Sequence, residues 1–172
     1  MLRIYSKSEE HDYSSVQANL PSISKRIIDW GKTKIKNSYI YEGEGFGRET
    51  NIHVTVKYGL HTDDADEVKK VVTGYGSFDI ELGEISKFSS DDFDVIMIEV
   101  KSKELHELNK LIKNELECTD THPVYKPHIT IAYVQKGNCD ELVGQIPFEG
   151  EKIKISEVCF SPVEGEKTKI KL

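Results

Sequence analysis

The stretch "NIHVTVKYGL", residues 51–60, sets a histidine and a threonine two positions apart inside a run of β-branched residues, and "KPHITIAYV", residues 126–134, repeats the arrangement. Side chains of a strand alternate between its faces. His53 and Thr55 therefore point one way while Ile52, Val54 and Val56 point the other, and His128 and Thr130 are separated from Ile129 and Ile131 in the same manner. The apolar face anchors each strand in a core, so the His/Thr face must look onto something polar. A single exposed edge would accommodate one copy. Two such faces meeting across a cleft account for both.

The elements around the two motifs predict an α+β fold. "SSVQANL" alternates Val16, Ala18 and Leu20 on one face, the period of a half-buried strand, and Pro21 ends it. Ile23, Ile27 and Trp30 recur at helical spacing behind that proline, which predicts a helix over about 21–32. Residues 33–50 are polar and glycine-rich and read as a loop. After the strand at 52–60, Asp63 or Asp64 offers an N-cap for a helix at about 63–73. "SFDIELGEISKF" and "DVIMIEVKS" should pair as a hairpin, and Leu105, Leu108, Leu111, Ile112 and Leu116 form the apolar stripe of a long helix. The second His-x-Thr strand follows, then one helical turn at "CDELVGQ" and strands near 152–160 and 166–171. Helices interleaved with hairpins, and few βαβ crossovers, favour mainly antiparallel sheets. Each motif strand is preceded by a helix, so the chain reads as two halves built alike.

Two imidazoles flanking one anion have a specific chemical use. A neutral ring accepts a proton from a nucleophile while a protonated ring donates one to the leaving oxygen. Imidazole titrates near pH ~6.5, which makes both forms accessible at neutrality. Phosphodiester cleavage needs that pair of transfers. The threonine hydroxyls, about 6–7 Å along each strand from the histidines, would hydrogen-bond non-bridging oxygens and stabilise the charge of the transition state. No metal is required in principle.

"HVTV" and "HITI" resemble the twin His-x-Thr/Ser-hydrophobic motifs of the two-histidine (2H) phosphoesterase superfamily, which includes the bacterial 2′-5′ RNA ligase-like cyclic phosphodiesterases and phage enzymes that destroy cyclic oligonucleotide immune signals. The resemblance covers the element order from about residue 14 to the end. It implies a single bilobed, pseudo-two-fold α+β domain, with mainly antiparallel sheets, helices packed outside and a central cleft. It also implies metal-independent cleavage of cyclic phosphates or of 2′-5′ or 3′-5′ linkages. The cleft residues carried over by position are His53, Thr55, His128 and Thr130 as catalytic residues, with no cofactor. The Gly-rich loop at 43–47 with Arg48 is not part of the general motif, and substrate identity is not carried by it.

Bulk composition bounds the partners. A chain of 172 residues, 37% hydrophobic and 31% charged, fits one globular domain and not two independent enzymes. With 30 acidic against 23 basic side chains, a net charge of -7 opposes a long nucleic-acid footprint. A small nucleotide or oligonucleotide in a cleft is compatible with it. Cys118, Cys139 and Cys159 are odd in number and show no zinc or disulfide spacing. Residues 1–12 are polar and expected to be ragged; no signal peptide or membrane span is legible, which points to the cytoplasm.

Further residues are candidates for substrate contact. Lys57 shares the parity of His53 and Thr55 and would balance a second phosphate on an unbroken strand; its alternative is a solvated lysine. Arg48 would clamp a phosphate oxygen if the glycine loop folds over the cleft. Tyr58 and Tyr133 occupy the fifth position after each histidine and have the parity of the core face, from which a bulge would turn them toward a base. Gly43, Gly45 and Gly47 lack the following Lys-Ser/Thr of a P-loop. The acidic runs at 63–67 and 89–92 lack EF-hand spacing, and His11, His61, His106 and His122 read as surface or helix-side residues. A cleft of this kind would also serve a non-catalytic protein that sequesters nucleotides.

Overall fold

The computed structural model describes residues 13–172, so residues 1–12, expected to be ragged, lie outside the described residues. Strand β1 (Ser14–Asn19) leads into helix α1 (Pro21–Lys34), and β2 (His53–Leu60) into α2 (Ala65–Val72). The hairpin β3 (Phe78–Ser89) and β4 (Phe93–Lys101) precedes α3 (Lys103–Glu115) and β5 (His128–Gln135). Three short strands finish the chain, β6 (Lys152–Ile155), β7 (Glu157–Ser161) and β8 (Thr168–Lys171). The helix starts follow local chemistry. Pro21 opens α1, the Asp64 carboxylate caps α2 by accepting from Asp66 N at 2.8 Å, and Ser102 Oγ caps α3 by accepting from Leu105 N at 3.1 Å.

Among the described residues all eight strands form one sheet in the order β6-β3-β4-β5-β2-β1-β7-β8, and every pairing between them is antiparallel. The two halves meet in its middle, at β5 and β2. Each of those strands also pairs with the strand that preceded it across a helix: β1 through α1 in one half, β4 through α3 in the other. The repeat legible in the two motifs is thus a repeat of strand-helix-strand units.

The sequence reads as one strand over 152–160, but the structure divides it at Ser156. β6 closes one edge of the sheet beside β3, whereas β7 lies near the opposite edge beside β1. One residue cannot span a flat eight-stranded sheet, whose strands are about 4.8 Å apart. The sheet therefore curls until its edges approach.

One face is covered by the helices. Ile23 and Ile27 of α1, Val68 and Val72 of α2, and Leu105, Leu108 and Ile112 of α3 share one buried cluster with Val54, Val56, Ile129 and Ile131. Gly31 permits the closest approach: a Cβ there would stand 2.8 Å from Ile131 Cγ2. Trp30, next to it, is only partly buried, so the glycine and not the tryptophan completes the inner stripe of α1. The histidines occupy the other face.

Candidate active site

A single antiparallel bridge, Val54 to Ile129, joins the two motif strands. Counting one residue either way sets His53 across from Thr130 and Thr55 across from His128. Each histidine thus faces the threonine of the other copy. The register with the outer strands extends both rows: Asn19 beside His53 and Met97 beside Thr130 in one, Gln17 beside Thr55 and Glu99 beside His128 in the other. All eight side chains share a face because their strand partners do. Gln17 is itself buried and donates to Asn19 Oδ1 at 2.7 Å.

The two rings are held alike. His53 Nδ1 lies 2.6 Å from Asn51 O and His128 Nδ1 lies 2.8 Å from Lys126 O, in each case the carbonyl two residues back. A carbonyl can only accept, so Nδ1 carries the proton and Nε2 is the unprotonated nitrogen of the neutral ring. Burial is the main influence on His128 and pushes its pKa below the ordinary imidazole value. The nearby His53 and His122 act in the same direction, and the bond to Lys126 opposes them. His128 is therefore biased toward the neutral ring.

Beyond the bridge the two strands splay, and each is completed by the loop that precedes its counterpart. Bonds from Tyr41 N to Tyr133 O, Tyr133 N to Gly47 O and Glu49 N to Ile131 O lay the glycine loop along β5. In the same way Thr119 N donates to Gly59 O and His61 N to Glu117 O beside β2. Gly59 is required there, since its φ is +98° and a Cβ would sit 2.0 Å from Thr119 O. The wall on this side is fixed by Tyr125, whose hydroxyl donates to Thr55 O at 2.8 Å.

A β-bulge falls at the same place in both motifs. Gln17 pairs with Thr55 but Val16 with Lys57, leaving Val56 extra; Met97 pairs with Thr130 but Ile96 with Ala132, leaving Ile131 extra. Two consecutive residues then point at the core, and strand parity reverses beyond them. This reversal decides the fate of the remaining candidates. Lys57 goes to the core side, 5% exposed, with its ammonium 2.8 Å from Asp120 Oδ1, instead of joining His53 and Thr55.

Tyr58 and Tyr133 are turned onto the histidine face. Tyr133 is nonetheless covered, packed 5.4 Å from Phe46 and 5.6 Å from Phe93, and burial raises its hydroxyl pKa to about 12. Tyr58 is half-buried and meets Tyr13 edge-to-face at 6.0 Å.

Arg48 also stays off the histidine face. Its backbone bridges Ala132, and its guanidinium donates to Gly31 O at 3.0 Å, Ile35 O at 2.6 Å and Asn37 Oδ1 at 2.9 Å. It caps the C-terminal end of α1, where exposed carbonyls and the helix dipole favour a cation. The structure thus brings together His53, Thr55, His128 and Thr130, and leaves Arg48 and Lys57 on the helical side. Sequence reading missed Gln17, Asn19, Met97 and Glu99. The alternation around Val16, Ala18 and Leu20 already turned Gln17 and Asn19 away from the core, but strand neighbours are not written in local sequence. Among the described residues no cluster of three or more His, Cys, Asp or Glu side chains is arranged to hold a metal ion. No helix among them is long and apolar enough to cross a membrane.

Comparison with known proteins places this geometry. Residues 32–164 match the family model of the 2′-5′ RNA ligase superfamily. A Staphylococcus haemolyticus protein named "Putative phosphoesterase SH1944" is 27% identical over 129 residues, covering 70% of this chain and 76% of that one. Among solved structures, Escherichia coli LigT complexed with 3′-AMP superposes with a TM-score of 0.62 at 16% identity, over 94% of this chain and 95% of that one. Kluyveromyces marxianus Usb1 with uridine monophosphate gives 0.55 at 9% identity, over 95% and 99%. The structural likenesses establish the shared fold, and the family match runs through both His-x-Thr strands: the chain belongs to the 2′-5′ RNA ligase superfamily of 2H phosphoesterases.

Proposed function

We propose that the protein is a phosphodiesterase that cleaves a small nucleotide substrate, a 2′,3′-cyclic phosphate or a cyclic or 2′-5′-linked oligonucleotide, by two-histidine general acid-base catalysis. The observation that carries the reading is the reciprocal placement of His53 with Thr130 and Thr55 with His128 about one bridge. A phosphate seated over that bridge meets one imidazole and one hydroxyl from each half. His128, biased toward the neutral ring, accepts a proton at Nε2 from water or a ribose hydroxyl. His53 as imidazolium donates from Nε2 to the leaving oxygen. The threonine hydroxyls donate to the non-bridging oxygens as negative charge accumulates.

A small substrate is supported by three features. The net charge is -7, the two rows of site residues carry no lysine or arginine, and the related structures hold 3′-AMP and uridine monophosphate. The test is turnover against a panel of 2′,3′-cyclic nucleotides, cyclic dinucleotides and 2′-5′-linked oligonucleotides. His53→Ala and His128→Ala should each lower kcat by at least ~10²-fold, the low end for lost general acid-base catalysis. Full activity in either variant, or complete loss of wild-type activity in EDTA, would reject the mechanism. Ligand bound and recovered intact would indicate sequestration instead.

A further inference from the structure

We propose that Glu49 is the positioning residue that sets which nitrogen of His53 bears the proton. Its side chain is buried, 4% exposed, and a single carboxylate oxygen, Oε1, accepts from both Thr50 N and Asn51 N at 3.0 Å. Its own amide is tied to Ile131 O at 2.9 Å. These bonds close the turn that ends the glycine loop and fix the peptide plane on the near side of Asn51. On the far side Leu20 N holds Ile52 O at 3.0 Å. The Asn51 carbonyl lies between these two anchored peptides, and it is the acceptor for His53 Nδ1 at 2.6 Å.

The other half performs the same task differently. Lys126 O, the acceptor for His128 Nδ1, precedes Pro127, whose ring fixes its own φ, and Val100 N holds Pro127 O at 3.2 Å as Leu20 holds Ile52. A proline in one motif thus corresponds to a buried carboxylate in the other. A neutral imidazole in water favours the Nε2-protonated tautomer, so the carbonyl must be held rigidly to reverse that preference. The effect on turnover rests on the proposed two-histidine mechanism; the effect on the tautomer rests on the local bonds alone.

The experiment is nitrogen-detected NMR of the histidine rings at about pH 8, above the ordinary imidazole range, alongside turnover of a 2′,3′-cyclic nucleotide. In the wild type both His53 and His128 should be protonated at Nδ1. Glu49→Met fills the space without offering an acceptor and should move His53 toward the Nε2-protonated tautomer, with His128 unchanged as internal reference. Glu49→Gln keeps an acceptor oxygen and should retain the wild-type tautomer. In turnover, Glu49→Met should lower kcat by roughly 10-fold with KM little altered, a loss confined to the transition state, and Glu49→Gln should restore most of it. An unchanged His53 tautomer in Glu49→Met overturns the proposal. So does a neutral wild-type His53 protonated at Nε2, which requires no variant to fold. A tautomer shift in a protein that turns over none of the panel upholds the positioning role and rejects the phosphodiesterase reading.

Discussion

Arg48, a candidate for phosphate contact in the sequence, is diverted by its surroundings. It follows a glycine loop beside the motif, yet its three donor contacts run to the end of α1. Arg48→Met should therefore lower stability by about 1–3 kcal/mol, the cost of leaving buried carbonyls without a charged partner, while kcat for whichever substrate of the proposed panel is turned over stays within about 2-fold of wild type. A urea titration paired with a steady-state assay separates this from a phosphate clamp, for which activity would fall and stability would not. His128 offers a pH test. Burial depresses its folded-state pKa, so the unfolded chain binds the proton more readily. Its contribution to stability is complete above the ordinary imidazole value and is lost as pH falls through the depressed one. Urea midpoints followed from about pH 7.5 down to about pH 5 should decline more steeply for wild type than for His128→Gln, and parallel curves would contradict the assignment.

At the level of elements, the paired bulges explain both what could be read from sequence and what could not. Alternation located each motif strand within a residue or two and correctly assigned His53, Thr55, His128 and Thr130 to one face, because side-chain period is local. Extending the same alternation placed Lys57 beside Thr55, and there it failed, because the extra residue Val56 is defined only by the register with β1. The consequence is energetic as well as geometric. Lys57 is buried as a cation and depends on Asp120, which it shares with Lys113; Lys113 and Lys57 together hold the Asp120 carboxyl below its usual range. Removing the acid strands a charge in the core, whereas removing the lysine does not. Asp120→Asn should cost about 1–3 kcal/mol, and Lys57→Met should be near neutral or stabilising. Equal losses for the two variants in chemical denaturation would show that Lys57 is not held as a buried charge. The break at Ser156 was illegible for the same reason: two short strands one residue apart in sequence belong to opposite sides of a sheet whose curl no local pattern records.

At the scale of the whole molecule, the decisive feature is that the two halves do not own separate sheets. β5 and β2, one from each half, are neighbours at the centre of a continuous eight-stranded sheet, and the loop of each half completes the motif strand of the other. The buried cluster runs without interruption from Ile23 and Ile27 through Val54 and Ile129 to Leu105 and Ile112. The candidate-site geometry exists only where the halves join, so neither half can hold it alone, and the two halves share one sheet and one buried cluster. Cooperative unfolding is therefore expected. Equilibrium urea unfolding followed by the fluorescence of Trp30, which lies on α1 and packs 6.1 Å from Phe148, should coincide with the loss of far-ultraviolet circular dichroism in one transition. The slope of that transition should correspond to exposure of the whole chain's surface, in the range of roughly 1–3 kcal/mol per molar urea for a small protein. Two resolved transitions would mean that one half survives without its counterpart, and activity would then be expected to vanish with the first. A single transition, with activity lost along the same curve, is the behaviour required of a site assembled from one histidine and one threonine of each half across a single strand pair.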